Sequence, residues 1–293
     1  MQNKDAAVCF LIVNYIKFLP SLSIGSCLAA TKSPIVIGYV NEDDLRDLPT
    51  SSRIKRIDLR NLPRCQHIFA NFQTGAYREF GTNDFFYLVQ LKWHLIAELM
   101  SLGYQRIIYS DIDTIWLQDA VELTSLIGEH SLLQIQDGTL DITTPRLCMG
   151  FASMVNCPEI IQMLEDCALE NMHQLRTGDQ VGDDDIISEY FLNQGYPSWI
   201  RLLPQLAFPT GNMLTQYLAK SAYRDIKPPR PVVFHANYMI GQNNKAIVLE
   251  RARKLLKVPT QIRLRNHEKL LLSFNYFIVQ LKSKLRGILR KFR

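Results

Sequence analysis

Asp111 and Asp113 stand one residue apart in Gln105-Arg106-Ile107-Ile108-Tyr109-Ser110-Asp111-Ile112-Asp113-Thr114-Ile115-Trp116-Leu117-Gln118, at the end of an apolar, strand-like run. In an extended segment alternate side chains share a face, so the two carboxylates are expected to project together while Ile112 turns into the core. Side by side they repel unless a cation sits between them. Hard oxygen donors of this kind suit Mg²⁺ or Mn²⁺, which keep open positions for the phosphate oxygens of a substrate. The plainer reading of the same residues is a solvated strand end followed by a helix cap. A second group lies far downstream, in Phe234-His235-Ala236-Asn237-Tyr238-Met239-Ile240-Gly241-Gln242-Asn243-Asn244-Lys245. A lone histidine is more often a satisfied core residue than a ligand. This one leaves a short strand, enters a polar, glycine-containing loop and precedes a lysine able to reach a diphosphate, so it reads as part of a metal–diphosphate site. The third group, Gly182-Asp183-Asp184-Asp185, places three acids at the opening of an apolar helix. They suit the positive end of the helix dipole, worth roughly 1 kcal/mol as a cap. The functional reading is a carboxylate held close to developing positive charge.

The elements that must position these residues alternate between strand and helix. Val8–Val13 and Pro34–Val40 read as buried strands with a helix over Phe18–Ala30 between them, and Arg53–Leu59 alternates like a third strand. Asp84 is placed to cap a helix over Phe85–Leu102, with Phe85, Leu88, Leu91, Leu95 and Leu99 on one stripe and Gly103 at its end. Gln105–Tyr109 is then the strand that delivers the Asp pair. Such an order implies a mainly parallel sheet whose ligands bind beyond the carboxyl ends of its strands, which is where Asp111 and Asp113 fall. Further on, Ser131–Gln136 and Cys148–Val155 read as strands, Pro158–Met172 and Asp183–Asn193 as helices, and Val232–His235 as a short strand that delivers His235.

Composition is that of an ordinary globular protein, with 47% hydrophobic and 21% charged residues over 293 positions, enough for one large α/β domain or two small ones. The six cysteines, Cys9, Cys27, Cys65, Cys148, Cys157 and Cys167, lie mostly in apolar runs without a Cys-x-x-Cys pair, which favours buried thiols over disulfides or zinc. The net charge of +5 hides a segregation. Residues 251–293 hold 13 Lys/Arg and a single acid, Glu268, so the tail is strongly basic and the body acidic. This suggests an anionic surface as the tail's partner rather than nucleic acid bound across the fold.

The chain resembles the nucleotide-diphospho-sugar transferases that include plant rhamnogalacturonan xylosyltransferases, and more loosely the retaining galactosyltransferases of glycosyltransferase family 8. The likeness covers about residues 7–250. It is carried by Phe86 through Lys92-Trp93 ahead of Gly103-Tyr104, by the segment from Tyr109 to Leu117, by Asp183-Asp184-Asp185-Ile186-Ile187-Ser188, and by His235, Gly241 and Lys245 in their order. The resemblance implies a GT-A-type, Rossmann-like α/β domain over residues 1–265. It also implies that Asp113 chelates Mn²⁺ or Mg²⁺, that Asp111 bridges metal and ribose, and that His235 is the third protein ligand. Lys245, with Gly241 in the same loop, would hold the diphosphate. Val13, Asn14 and Tyr15 would line the nucleoside pocket, with Lys92 nearby. The chain departs from the family where Asp183-Asp184 replaces the usual Asp-Gln, and where Cys148-Met149-Gly150 replaces Asn-x-Gly. Both departures lie on the sugar and acceptor side.

The function expected from these residues is a metal-dependent, retaining glycosyltransferase. It would move a sugar from a nucleoside diphosphate, UDP above all, to a hydroxyl of a glycan or lipid-linked acceptor, with Asp183 and Asp184 as the candidate catalytic acids. The rival enzyme is a haloacid-dehalogenase-like phosphatase, whose Asp-x-Asp-x-Thr matches Asp111-Ile112-Asp113-Thr114 but normally opens the catalytic core. It would leave His235 and Lys245 without work. A third reading is a non-catalytic, membrane-associated nucleotide-binding adaptor. Residues 266–293 are expected to form a basic amphipathic helix, with Leu270, Phe274, Phe277, Leu281, Leu285 and Phe292 on its apolar stripe, resting on an anionic membrane. No N-terminal signal stands out, because Ala6–Val13 is short and lacks a basic flank. The expected location is therefore the cytoplasm, peripheral on the inner face of the membrane.

Overall fold

β1 (Lys4–Ile12) is apolar at nearly every position because both of its faces are covered. Ala7 and Cys9 point into one core cluster, Val8, Phe10 and Ile12 into another. The computed structural model describes residues 4–13, 18–70, 83–127, 131–138, 146–179, 181–205, 207–211, 231–237, 245–246, 248–250 and 252. After β1 come α1 (Phe18–Ala30), β2 (Ile35–Tyr39), β3 (Ile54–Asp58), the short α2 (Gln66–Ala70) and α3 (Asn83–Ser101). β4 (Tyr104–Ser110), β5 (Thr114–Trp116) and α4 (Ala120–Ile127) follow, then β6 (Leu133–Asp137) and β7 (Leu147–Val155). The order is completed by α5 (Pro158–Thr177), α6 (Asp183–Asn193), β8 (Ile200–Leu203) and β9 (Val233–His235).

Seven strands form one sheet in the order β3-β2-β1-β4-β7-β6-β8, and β5 and β9 form a separate two-stranded sheet. The large sheet is mixed. β1, β2, β3 and β4 pair in parallel, β7 runs antiparallel to both β4 and β6, and β8 pairs in parallel with β6, so β7 alone is reversed. The expected mainly parallel sheet is thus interrupted by one strand. Local pattern could not reveal it: β7 is buried at all but its last residue, and a run buried on both faces reads the same in either direction.

From β1 the chain moves outward to β2 and β3, then returns to place β4 on β1's other side, so strand order reverses between β1 and β4. A crevice opens outside the carboxyl ends of strands at such a point. Val13 follows β1 there and Asp111 follows β4. α3, α5 and α6 cover one face of the sheet with Leu91, Leu95, Leu99, Ile160, Met163, Ile187 and Phe191, and α1 contributes Ile24 and Cys27 to the other. α3 also packs against α5, which is why its burial extends beyond the expected single stripe to Trp93, Ile96 and Met100.

α1 and α6 have the bounds expected from sequence, and β2 and β3 lie within the segments expected for them. α3 begins at Asn83, so Asp84 lies inside the helix instead of before it. α5 runs five residues beyond Met172, to Thr177, where Gly178 takes a left-handed conformation (φ 89°) and closes the last turn. Four of these elements were not anticipated: α2, β5, α4 and β8. α4 did carry a signal, because Asp119 Oδ1 accepts the backbone N–H groups of Val121 and Glu122 at 3.0 and 3.3 Å, an N-cap legible as Asp119 followed by Glu122. The expected helical tail over 266–293, and with it the boundary at 265, lies outside the described residues.

Candidate active site and metal centre

Asp111 and Asp113 do not sit on a strand. β4 ends at Ser110 and β5 begins at Thr114, so the pair occupies the turn between them, and strand alternation is not what brings the carboxylates together. The turn is held from beneath. Thr114 Oγ1 donates to the Asp111 carbonyl at 2.8 Å, Trp116 Nε1 donates to Ser110 Oγ at 3.2 Å, and the Asp111 N–H donates to the Gly150 carbonyl at 2.8 Å. Ile112 is buried at the turn's centre, as expected, and the two acids flank it.

His235 arrives through β5 and β9. Their antiparallel register sets Thr114 opposite His235, Ile115 opposite Phe234 and Trp116 opposite Val233, so the last residue of β9 lies beside the end of the Asp-x-Asp turn. His235 Nε2 stands 3.2 Å from Asp113 Oδ1 and 3.7 Å from Asp111 Oδ2. One ligand atom from each of Asp111, Asp113 and His235 lies within 4.8 Å of the others. Two hard carboxylates and one imidazole nitrogen fit Mn²⁺ or Mg²⁺ and leave coordination positions for phosphate oxygens. Asp113 and His235 are buried, whereas the Asp111 side chain keeps 28% of its surface exposed and marks the open side.

Two lysines complete the electrostatics. Lys245 Nζ is 2.6 Å from Asp113 Oδ2. Burial alone would raise the Asp113 carboxyl, but the Lys245 ammonium and the His235 ring outweigh it and hold the group well below the usual carboxylate range. Lys92, buried on α3, forms an ion pair with Asp183, lies 3.4 Å from Asp111 Oδ1, and sits over the Tyr109 ring at 4.8 Å. Burial works to lower its ammonium, yet Asp111 and Asp183 together hold it above the ordinary lysine value. Tyr109 Oη donates to Asp111 Oδ1 at 2.7 Å.

The three acids at the start of α6 take three different roles. Asp183 pairs with Lys92, Asp184 Oδ1 accepts the Met149 N–H at 2.8 Å, and Asp185 pairs with Arg146 Nη2 at 2.7 Å. All three lie in the first turn of α6, as the dipole reading expected, and their separate partners add roles that a cap at Gly182 does not require. Burial, followed by the Asp183 charge, pushes the Asp184 carboxyl up to about 7.

A family profile described as nucleotide-diphospho-sugar transferase matches residues 52–249, a span that contains the Asp-x-Asp turn, the α6 acids, His235 and Lys245. The chain belongs to this family. Among solved structures, that of galactosyltransferase LgtC in complex with donor and acceptor sugar analogs is similar at a TM-score of 0.52 and 14% identity, covering 88% of this chain and 97% of that one, which shows a shared fold. The apo form of mouse xyloside xylosyltransferase 1 aligns at a TM-score of 0.48 and 11% identity over 80% of this chain and 98% of that one. A search of the curated proteins gave no match. This nucleotide-diphospho-sugar transferase has a GT-A-like α/β fold and a candidate metal centre, and it is a glycosyltransferase enzyme.

Of the residues singled out in the sequence, Asp111, Asp113, His235, Lys245, Lys92 and Asp183 form a connected cluster, and Asp184 adjoins it through Asp183. Val13 is buried at the end of β1, beside the reversal of strand order. Asn14, Tyr15 and Gly241 lie outside the described residues. Sequence reasoning overlooked Gln136, whose Oε1 is 2.9 Å from His235 Nδ1, and the part played by Gly150, where an added Cβ would stand 1.8 Å from His235 Cε1. The glycine in an otherwise continuous apolar strand was the available signal, since it marks a close approach. Gln136 offered none.

Proposed function

We propose that this transferase is a retaining, Mn²⁺- or Mg²⁺-dependent enzyme that moves a sugar from a nucleoside diphosphate, UDP being the favoured carrier, to a hydroxyl of a glycan or lipid-linked acceptor. The observation that carries the reading is the convergence of Asp111, Asp113 and His235 on one point with Lys245 alongside. When bound there, the metal supplies Lewis-acid stabilisation to the departing diphosphate. Lys245 adds a second positive charge on the same side, so negative charge that builds on the leaving oxygen meets a fixed partner. The bond from the anomeric carbon to the diphosphate oxygen breaks with its electron pair going to that oxygen. A new bond then forms to the acceptor hydroxyl oxygen, whose proton leaves toward the diphosphate. Meanwhile the anomeric carbon gains positive charge, and Asp183 or Asp184 offers the carboxylate that stabilises it or attacks it. Lys92 ties Asp183 to Asp111, so the sugar side and the nucleotide side of the site are held in one frame.

Calorimetric titration of UDP into the protein with Mn²⁺ and with EDTA tests the reading, followed by a panel of nucleotide sugars scored for hydrolysis and transfer. Tighter binding with Mn²⁺, lost in the shape-conserving Asp113→Asn variant, is the expected result. Metal-independent binding together with rapid hydrolysis of simple phosphomonoesters would overturn it in favour of a phosphatase.

A further inference from the structure

We infer that Gln136 is a positioning residue that fixes His235 as its Nδ1–H tautomer, so that the unprotonated Nε2 faces Asp111 and Asp113. The inference rests on the metal-ligand role proposed above for His235, and its first step is chemical. Gln136 Nε2 lies 2.8 Å from the Phe208 backbone carbonyl, which can only accept, so the amide nitrogen must face that carbonyl. The amide oxygen is therefore the atom turned toward His235, 2.9 Å from Nδ1. An amide oxygen has no proton to give. Nδ1 must supply it. Asp113 Oδ1, 3.2 Å from Nε2, is a competing acceptor on the other side of the ring, but its carboxylate is already paired with the Lys245 ammonium through Oδ2, so the neutral ring keeps its proton at Nδ1 and presents a lone pair at Nε2. Cys148 Sγ makes a second, longer contact with Nδ1 at 3.8 Å, a weaker partner than the amide oxygen, and the sulfur also takes the Asn237 Nδ2 donor at 3.2 Å.

The fold places Gln136 for this purpose through an irregularity. Ile135 of β6 opposes Ala152 of β7, but the next residue, Gln136, opposes Cys148, so residues 149–151 are looped out of the β6–β7 ladder while Phe151 keeps its pairing with Ser110 of β4. Bulges of this kind redirect side chains beside active sites. The looped-out segment includes Gly150, where the His235 ring occupies the space a Cβ would fill. Gln136 and His235 are both buried, so the contact is shielded from water that could substitute for either partner.

The test uses metal-free protein with ¹⁵N-labelled histidine, at a pH where the ring is neutral, and reads the tautomer from the two ring-nitrogen shifts. Wild type is expected to be protonated at Nδ1. Gln136→Met, which keeps length and removes the acceptor, is expected to shift the population toward Nε2–H and to weaken Mn²⁺ binding, followed by electron paramagnetic resonance of the free ion, by about 10–100-fold. Gln136→Glu restores an acceptor and is expected to return the Nδ1–H signature. A wild-type spectrum showing Nε2–H overturns the inference even if neither variant folds, and so does an unchanged tautomer in folded Gln136→Met. An Nδ1–H tautomer in a wild type that binds no Mn²⁺ would uphold the role of Gln136 and instead overturn the metal-centre reading.

Discussion

Gly150 admits the His235 ring because it lacks a side chain. Its virtual Cβ falls 1.8 Å from Cε1, 2.6 Å from Nδ1 and 2.6 Å from Nε2, so any larger residue competes directly with the imidazole. Gly150→Ala is expected to destabilise the fold by about 1–3 kcal/mol through overpacking, and to lower Mn²⁺ affinity by more than that cost explains, because the displaced ring carries the proposed ligand nitrogen. Paired urea and Mn²⁺ titrations check it; unaltered affinity would mean the ring is not the metal's partner. Asp184 gives a pH signature. Its folded-state carboxyl, pushed up to about 7 by burial and then by Asp183, lies above the ordinary value of 3.8, so the folded protein holds this proton more tightly than the unfolded chain does. The resulting stabilisation is complete below about pH 4 and is lost as pH rises toward about 7. Asp113, held low, contributes with the opposite sign: its stabilisation is present above the ordinary value of 3.8 and is constant across that window. Asp184→Asn keeps an oxygen for the Met149 N–H and has no proton to lose. Its Tm should therefore gain on that of wild type between about pH 4 and 7, and parallel melting curves over that range would refute the shift.

At the scale of elements, β9 is only three residues long and its position depends on what packs against it. Phe234 points into a small cluster with Leu19, Leu22, Ile115, Leu117, Ala246 and Leu249, separate from the two clusters that flank the main sheet. That cluster joins α1, the β5–β9 ladder and the segment bearing Lys245, so it aligns a metal ligand with the proposed diphosphate lysine. Phe234→Ala is expected to cost about 3–5 kcal/mol and also to weaken Mn²⁺ binding, because His235 is the next residue. Ile160→Ala, in the core under α5, should lower stability by about 2–5 kcal/mol while folded protein keeps its metal affinity. Comparing the two at a temperature where both are folded separates general stability from placement of the site. Equal affinity in both variants would count against the role given to this cluster.

For the molecule as a whole, the reversal of strand order between β1 and β4 opens the crevice, and the reversed β7 meets the site through the Met149 N–H, which Asp184 accepts, and through Gly150, against which the His235 ring packs. Charge is segregated as well, with 13 Lys/Arg and one acid in residues 251–293. We propose that residues 266–293 rest on an anionic membrane face, where each basic side chain would contribute roughly 1 kcal/mol. Among the described residues no helix is long and apolar enough to cross a membrane. Deleting residues 267–293 is expected to abolish sedimentation with anionic liposomes at low salt and to leave the Tm of the body within a few degrees. Unchanged liposome binding, or loss of the folded body, would refute a membrane role for the tail.

Local pattern was enough to place most of the strands and helices, because burial on both faces, helical periodicity and terminal signals such as Pro158 and Gly103 act over a few residues. The residue types of the site were legible for the same reason: adjacent carboxylates, a histidine leaving a strand, and a lysine ten residues later restrict the chemistry whatever the fold. Tertiary structure alone decided the geometry. The carboxylates converge because a turn, rather than a strand, carries them, and His235 reaches them through a three-residue ladder with β5 whose register no local pattern encodes. The direction of β7, the slip that sets Gln136 opposite Cys148, and the entry of an imidazole into the space beside Gly150 are all pairings between residues far apart in the chain. Their energies depend on the distant partner, so neither sequence neighbourhood contains them.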